Sequence, residues 1–212
     1  MTKHFKFALY LVAAIGFSSA QAGAYEDFSI ALHRDDKSAI TKLLERGFDP
    51  NTLDEKGRTG LGFALLNDSL QAAEALLASP ALDINKLNNN GESALMIAAL
   101  RGKLDWCKRL VEKGARVNHD GWSALHYAAS GPTVEVIDYL LQQGANLEGR
   151  SPNGTTPLMM AARYGSETNV DRLLAAKAEI RATNEQGLSA VDFARLGGRE
   201  KLTARLAKLM PK

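Results

Sequence analysis

The sequence predicts an all-α solenoid of about six stacked helix-turn-helix units joined by turns and hairpin-like loops. Three observations carry that expectation. Five segments align on a glycine, namely Gly57, Gly91, Gly121, Gly154 and Gly187, at spacings of 34, 30, 33 and 33 residues. Two positions after each glycine stands Thr or Ser (Thr59, Ser93, Ser123, Thr156, Ser189), and two further on stands Leu or Val (Leu61, Leu95, Leu125, Leu158, Val191). Of the 212 residues 45% are hydrophobic but only 7% aromatic, a balance that favours helices over a β-sandwich.

The amino terminus is read first. Lys3, His4 and Lys6 precede an uncharged apolar run over 7–17, and SSAQAGA then supplies small residues. This order predicts a cleaved export signal over residues 1–22, with Ala22 or Ala24 as the last residue removed. The run of 11 residues is too short to span a bilayer, and no cysteine near the cut offers a lipid anchor. Periplasmic residence is expected if the source is Gram-negative, with no membrane contact after cleavage. Lys and Arg number 26 against 24 Asp and Glu. Without residues 1–22 the two counts are equal, so nothing implies a nucleic-acid partner.

Residues 23–212 then divide into units. A partial copy over 25–52 keeps Phe28, Leu43-Leu44, Gly47 and Asn51 in register and predicts the amino-terminal cap. Full units follow at approximately 53–87, 88–118, 119–149 and 150–183, and 184–212 closes the array with the basic segment REKLTARLAKLMPK. Both uneven spacings have local causes. ASPALDIN carries one extra residue, which accounts for the 34. Asn118 stands only three residues before Gly121, whereas Asn51 and Asn85 stand six before Gly57 and Gly91, which accounts for the 30. In each unit Ser or Thr is placed to cap the first helix. Pairs such as Ala98-Ala99 and Ala161-Ala162 let helices approach, and Leu76-Leu77, Leu110-Val111, Leu140-Leu141 and Leu173-Leu174 fill the space between units. Gly114 and Gly144 suit left-handed caps after the second helix. One unit cannot bury its own apolar face, but a stack can.

The pattern resembles the ankyrin repeat, most closely in TTPLMMAA (Thr155 to Ala162) and WSALHYAA (Trp122 to Ala129). The likeness covers about residues 25–209. Only Pro157 keeps the family's proline and only His126 its histidine. Gly60 and Gly62 make the first full unit irregular and predict a loosened first helix. The resemblance implies a protein-binding module. It also implies that His126 hydrogen-bonds the turn backbone of a neighbouring unit.

The segment DGWSALHYAAS invites a catalytic reading of Asp120, Ser123 and His126. Yet Ser123 fills the capping column, and the histidine column holds Met96, Met159 and Asp192 elsewhere. A column that variable carries no repeated chemistry. His119 and Asp120 belong to the shortened turn, and no HxxxH, CxxC or clustered-carboxylate pattern provides a metal site. No cofactor is implied. Cys107, the single cysteine, shares a helix face with Leu104, Leu110 and Val111 and is expected to be a buried apolar residue. The chain is therefore expected to be non-enzymatic and to act through its surface. Residue positions that the repeat does not dictate include the turn tips, among them Arg58, Asn89, Asn90, Glu92 and Trp122, and the outward side of the first helices. The contact set expected there is Trp122, Tyr127, Arg101, Arg150, Met160, Arg163, Tyr164 and Arg58, rich in hot-spot residue types. Trp122, directly after the turn glycine, is expected to be exposed. The partner is expected to be another protein bound by a monomer. An immunity protein that neutralises a secreted toxin, or a scaffold stabilising a periplasmic stress-defence enzyme, are the narrower alternatives.

Overall fold

Among the residues described by the structure, a computed structural model covering 19–210, helices form and strands do not. The predicted export signal lies outside these residues except for its last four. The helices come in pairs: α1 (Ser19–His33) with α2 (Lys37–Glu45), α3 (Gly60–Leu66) with α4 (Leu70–Ala78), and α5 (Ala94–Leu100) with α6 (Leu104–Glu112). The remaining pairs are α7 (Ala124–Ser130) with α8 (Val134–Gln142), α9 (Pro157–Tyr164) with α10 (Glu167–Ala175), and α11 (Ala190–Leu196) with α12 (Glu200–Leu209). The chain forms two compact units, one ending at Asp83 and one beginning at Ile84. In the first, α1 packs on α3 and α2 on α4. In the second, α5, α7, α9 and α11 stack in one layer, while α6, α8 and α10 stack in another.

Each short helix starts where the sequence places a cap. Thr59, Ser93, Thr156 and Ser189 accept a bond from the backbone N–H three residues on. Ser123 is the exception: its hydroxyl meets the His126 ring instead. Within the second unit, α7 and α9 each have a first-layer helix on either side and are buried along most of their length. In α5, Ala94 through Ala99 are all buried, and Ala128, Ala129, Ala161 and Ala162 are likewise inaccessible. The second-helix pairs divide their work: Leu110, Leu140 and Leu173 are fully buried, while Val111, Leu141 and Leu174 are half-buried.

The helix Gly60–Leu66 is intact, which corrects the expectation of loosening. A Cβ on Gly60 would lie 2.7 Å from the Phe28 ring, so the missing side chain lets Phe28 close the amino-terminal pair. The predicted left-handed caps form at Gly114 and Gly144, and Gly47 takes the same conformation in the amino-terminal unit. Lys177 adopts the same conformation in a unit that lacks the glycine.

Two sets of polar bonds fix the register of neighbouring repeats. Loop side chains reach one repeat onward. Asn51 accepts from the Asp83 N–H at 2.7 Å, Asn85 from Arg116 at 2.8 Å, Asn118 from Asn146 at 2.8 Å, and Glu148 from Glu179 at 2.9 Å. Second-layer helices reach one repeat back. The buried Asn169 amide donates to the carbonyls of Ala128, Ala129 and Gly131, and the Arg199 guanidinium donates to those of Ala161, Ala162 and Gly165. Both close the carboxyl end of a helix whose last carbonyls have no partner of their own.

Two substitutions test this packing by denaturant unfolding. Asn169→Ala strands buried carbonyls and is expected to cost about 2–3 kcal/mol. Gly165→Ala is expected to cost more than about 3 kcal/mol, since its Cβ would run into the Ala129 carbonyl oxygen. Gly187→Ala is its control: it meets nothing within 4 Å and should cost only the left-handed strain of about 1–2 kcal/mol.

Candidate functional site

The aromatic segment ahead of and along α7 owes its form to the shortened turn. In other units the residue three before the glycine shapes the turn. Asp54 accepts from the N–H groups of Lys56 and Arg58, Asn88 from those of Asn90 and Glu92, and Asn184 from those of Gln186 and Leu188. Six residues before the glycine stands the residue that reaches the next repeat. At Gly121 both tasks fall on Asn118. It makes the inter-repeat pair, donating to Gly144 at 2.9 Å and accepting from Asn146, and makes no turn bond of this kind. Trp122 packs across the start of α7 instead. Its ring stands edge-on to His126 at 5.3 Å and to Tyr127 at 6.4 Å between centroids. It is half-buried, which corrects the expectation that it projects freely.

His126 is completely buried. The Ser123 N–H donates to Nδ1 at 3.2 Å, which makes Nδ1 an acceptor and puts the proton on Nε2. Nε2 then donates to the Thr155 carbonyl, 2.9 Å away in the next repeat. Both nitrogens are thus consumed in joining α7 to its neighbour, as the resemblance implied. Ser123 and His126 touch, at 2.9 Å, but both are sealed from any substrate. Burial pushes the Cys107 thiol up to about 12, so the reactive thiolate is suppressed. Among the described residues no three His, Cys, Asp or Glu side chains gather as a metal-ligand group.

Of the predicted contact residues, several serve the framework. The Arg58 guanidinium meets Asp54 at 2.6 Å and lies 4.6 Å from the centre of the Phe63 ring. Burial would raise the Asp54 carboxyl, but the Arg58 bonds outweigh it and hold the group below the usual carboxylate range. Arg150 is exposed, yet its Nη1 donates to the carbonyls of Gly154 and Thr183. The Tyr127 hydroxyl donates to the Glu92 carboxylate at 2.8 Å. Burial first, then that bond, pushes the phenol above its ordinary value. Tyr164 is 57% exposed, with the Arg163 guanidinium 5.0 Å from its ring centre, and Met160 lies half-buried on the same helix. Arg101 is exposed at the end of α5. The structure thus brings together Trp122 with Tyr127, and Met160, Arg163 and Tyr164 along α9. Leu196, 55% exposed at the end of α11, was missed, as was the role of Glu92. Leu196 carried a signal, because it occupies the column of Leu66, Leu100 and Arg163.

The buried histidine gives stability a pH dependence. Burial holds His126 below its ordinary value. The unfolded chain therefore takes up this proton first as pH falls past about 6.5, and the stability present above that pH is progressively lost below it, at up to about 1.4 kcal/mol per pH unit. Burial and Arg116 lower His119 as well, so the comparison needs a variant. His126→Met, which copies Met96 and Met159, is expected to lose less stability than wild type between about pH 7.5 and about pH 5 in denaturant titrations.

Comparison with known proteins gives one answer. The profile of ankyrin repeats, described as three copies, matches residues 28–120 and 115–184. Protein glp-1 of Caenorhabditis elegans is 27% identical over 197 residues, 85% of this chain but 15% of that protein. Ankyrin repeat and SAM domain-containing protein 6 of Rattus norvegicus is 33% identical over 156 residues, 70% of this chain and 17% of its own length. The chain thus spans under a fifth of these relatives. A solved chain matches far more completely, at TM-score 0.70 and 26% identity, covering 87% of this chain and 98% of its own. It comes from a complex of a predatory endopeptidase of Bdellovibrio bacteriovorus with an immunity protein. The chain belongs to the ankyrin-repeat family, whose repeats mediate protein–protein interaction.

Proposed function

We propose that this chain is a non-enzymatic binding protein of immunity type, exported to the periplasm, where it holds a secreted peptidase inactive by covering it. The observation that carries the reading is the match over 98% of a chain from an endopeptidase–immunity complex. The long curated relatives share only a segment with this chain, whereas that solved chain has its size and its fold. The residues support the same conclusion. The would-be catalytic pair Ser123 and His126 is sealed inside the repeat, while Tyr164, Leu196 and half-buried Met160 and Arg163 are left for contact. Aromatic and arginine side chains of this kind anchor protein interfaces. The basic start, the apolar run over 7–17 and the small residues before Ala22 and Ala24 support export.

The test is capture from periplasmic extract by the protein purified after export, with the bound partner identified by mass spectrometry. The expected partner is a peptidase whose hydrolytic rate falls at least about tenfold with one equivalent of this protein, and Tyr164→Ala is expected to weaken the complex by about 1–2 kcal/mol. A partner enzyme that keeps full activity and gains thermal stability would replace the immunity reading with the scaffold reading.

A further inference from the structure

We propose that Glu92, Trp122 and Tyr127 form a receptor for the guanidinium of an arginine presented by the protein partner. The proposal rests on the protein-binding reading above and adds the chemistry of one anchor. Its starting point is a charge without a counter-ion. The Glu92 side chain is half-buried. One carboxylate oxygen accepts from the Tyr127 hydroxyl at 2.8 Å and the other from the Asn88 amide at 2.7 Å. Both donors are neutral, and among the described residues no cation pairs with Glu92. Asp138 and Asp192, similarly half-buried, each meet an arginine, Arg172 and Arg195 respectively. A partly desolvated carboxylate is costly without a cation, and Glu92 stands where the fold supplies none.

The surroundings select the cation. A carboxylate offers about four lone-pair positions. Two are used here, one on each oxygen, so one remains on each, as the parallel N–H groups of a guanidinium require. Tyr127, whose hydroxyl bonds the carboxylate, is half-buried, and the equally half-buried Trp122 ring stands at 83° to it with centroids 6.4 Å apart. Aromatic faces attract cations, and a planar guanidinium both stacks on a ring and forks onto a carboxylate, which an ammonium does not. Three of the protein's own arginines lie over other rings: Arg58 over Phe63, Arg109 over Trp106 and Arg163 over Tyr164.

The chain's two tryptophans make the test internally controlled, because Trp106 lies buried under Arg109 while Trp122 lines the receptor. The indole N–H resonances are followed by NMR during titration with Nα-acetyl-arginine methylamide and, separately, with its neutral citrulline counterpart. The arginine compound is expected to shift Trp122 saturably and leave Trp106 in place, with the citrulline compound at least about tenfold weaker. E92Q, which keeps the shape of the side chain and is checked for an unchanged Tm, is expected to weaken the arginine compound by a similar factor. Equal response to the two compounds, or an unchanged affinity in E92Q, overturns the receptor. Because the probe is a small molecule, its binding does not depend on which partner is captured: saturable arginine binding in a protein that captures no peptidase leaves the receptor standing and removes the immunity reading.

Discussion

Everything in this protein follows from helices too short and too apolar to stand alone. Isolated helices of seven to nine residues are marginal in water, and those of the first layer are mostly apolar, with few polar positions left for solvent. α5 reads ALMIAAL with six of its seven residues buried. Such a helix is stable only when packed against others, and that requirement fixes the alanines that allow close approach and the leucines that fill the gap to the second layer. It also creates a polar debt. Close stacking shuts water out of the carboxyl ends of α7 and α9, so the next repeat must supply donors there: Asn169 does so from the first turn of α10 and Arg199 from the residue just ahead of α12. Stacking by hydrophobic contact sets the spacing; these bonds set the register.

Features that recur were legible in the sequence because five copies reinforce one another. The turn glycines, the capping Ser and Thr and the buried leucines all sit in columns, while the task of His126 came from the resemblance to the family. Features that occur once were not. That Gly60 makes room for Phe28 depends on a residue 32 positions earlier. The Glu92–Tyr127 bond joins residues 35 apart, and Asn169 reaches carbonyls 38 to 41 residues away. No periodicity encodes such pairs, since each exists only after the repeats have stacked. The same limit explains why Arg58 and Arg150 looked available for a partner: their residue types suit an interface, but local backbone and carboxylate groups had already engaged them.

Trp122 shows how a defect in the repeat changes the packing of a turn. The missing three residues before Gly121 merge two columns into Asn118, and one side chain cannot both brace its own turn and hold the next repeat. The inter-repeat bond wins, because giving it up would leave the Asn146 N–H and the Gly144 carbonyl without their partner. The turn is then secured from the other side, by the indole laid across His126 and Tyr127. The indole thereby meets Tyr127, whose hydroxyl holds the carboxylate of Glu92 together with Asn88 of the intact preceding turn. The deletion therefore does more than shorten a loop: it trades the turn braced by its own side chain for one closed by an aromatic cluster.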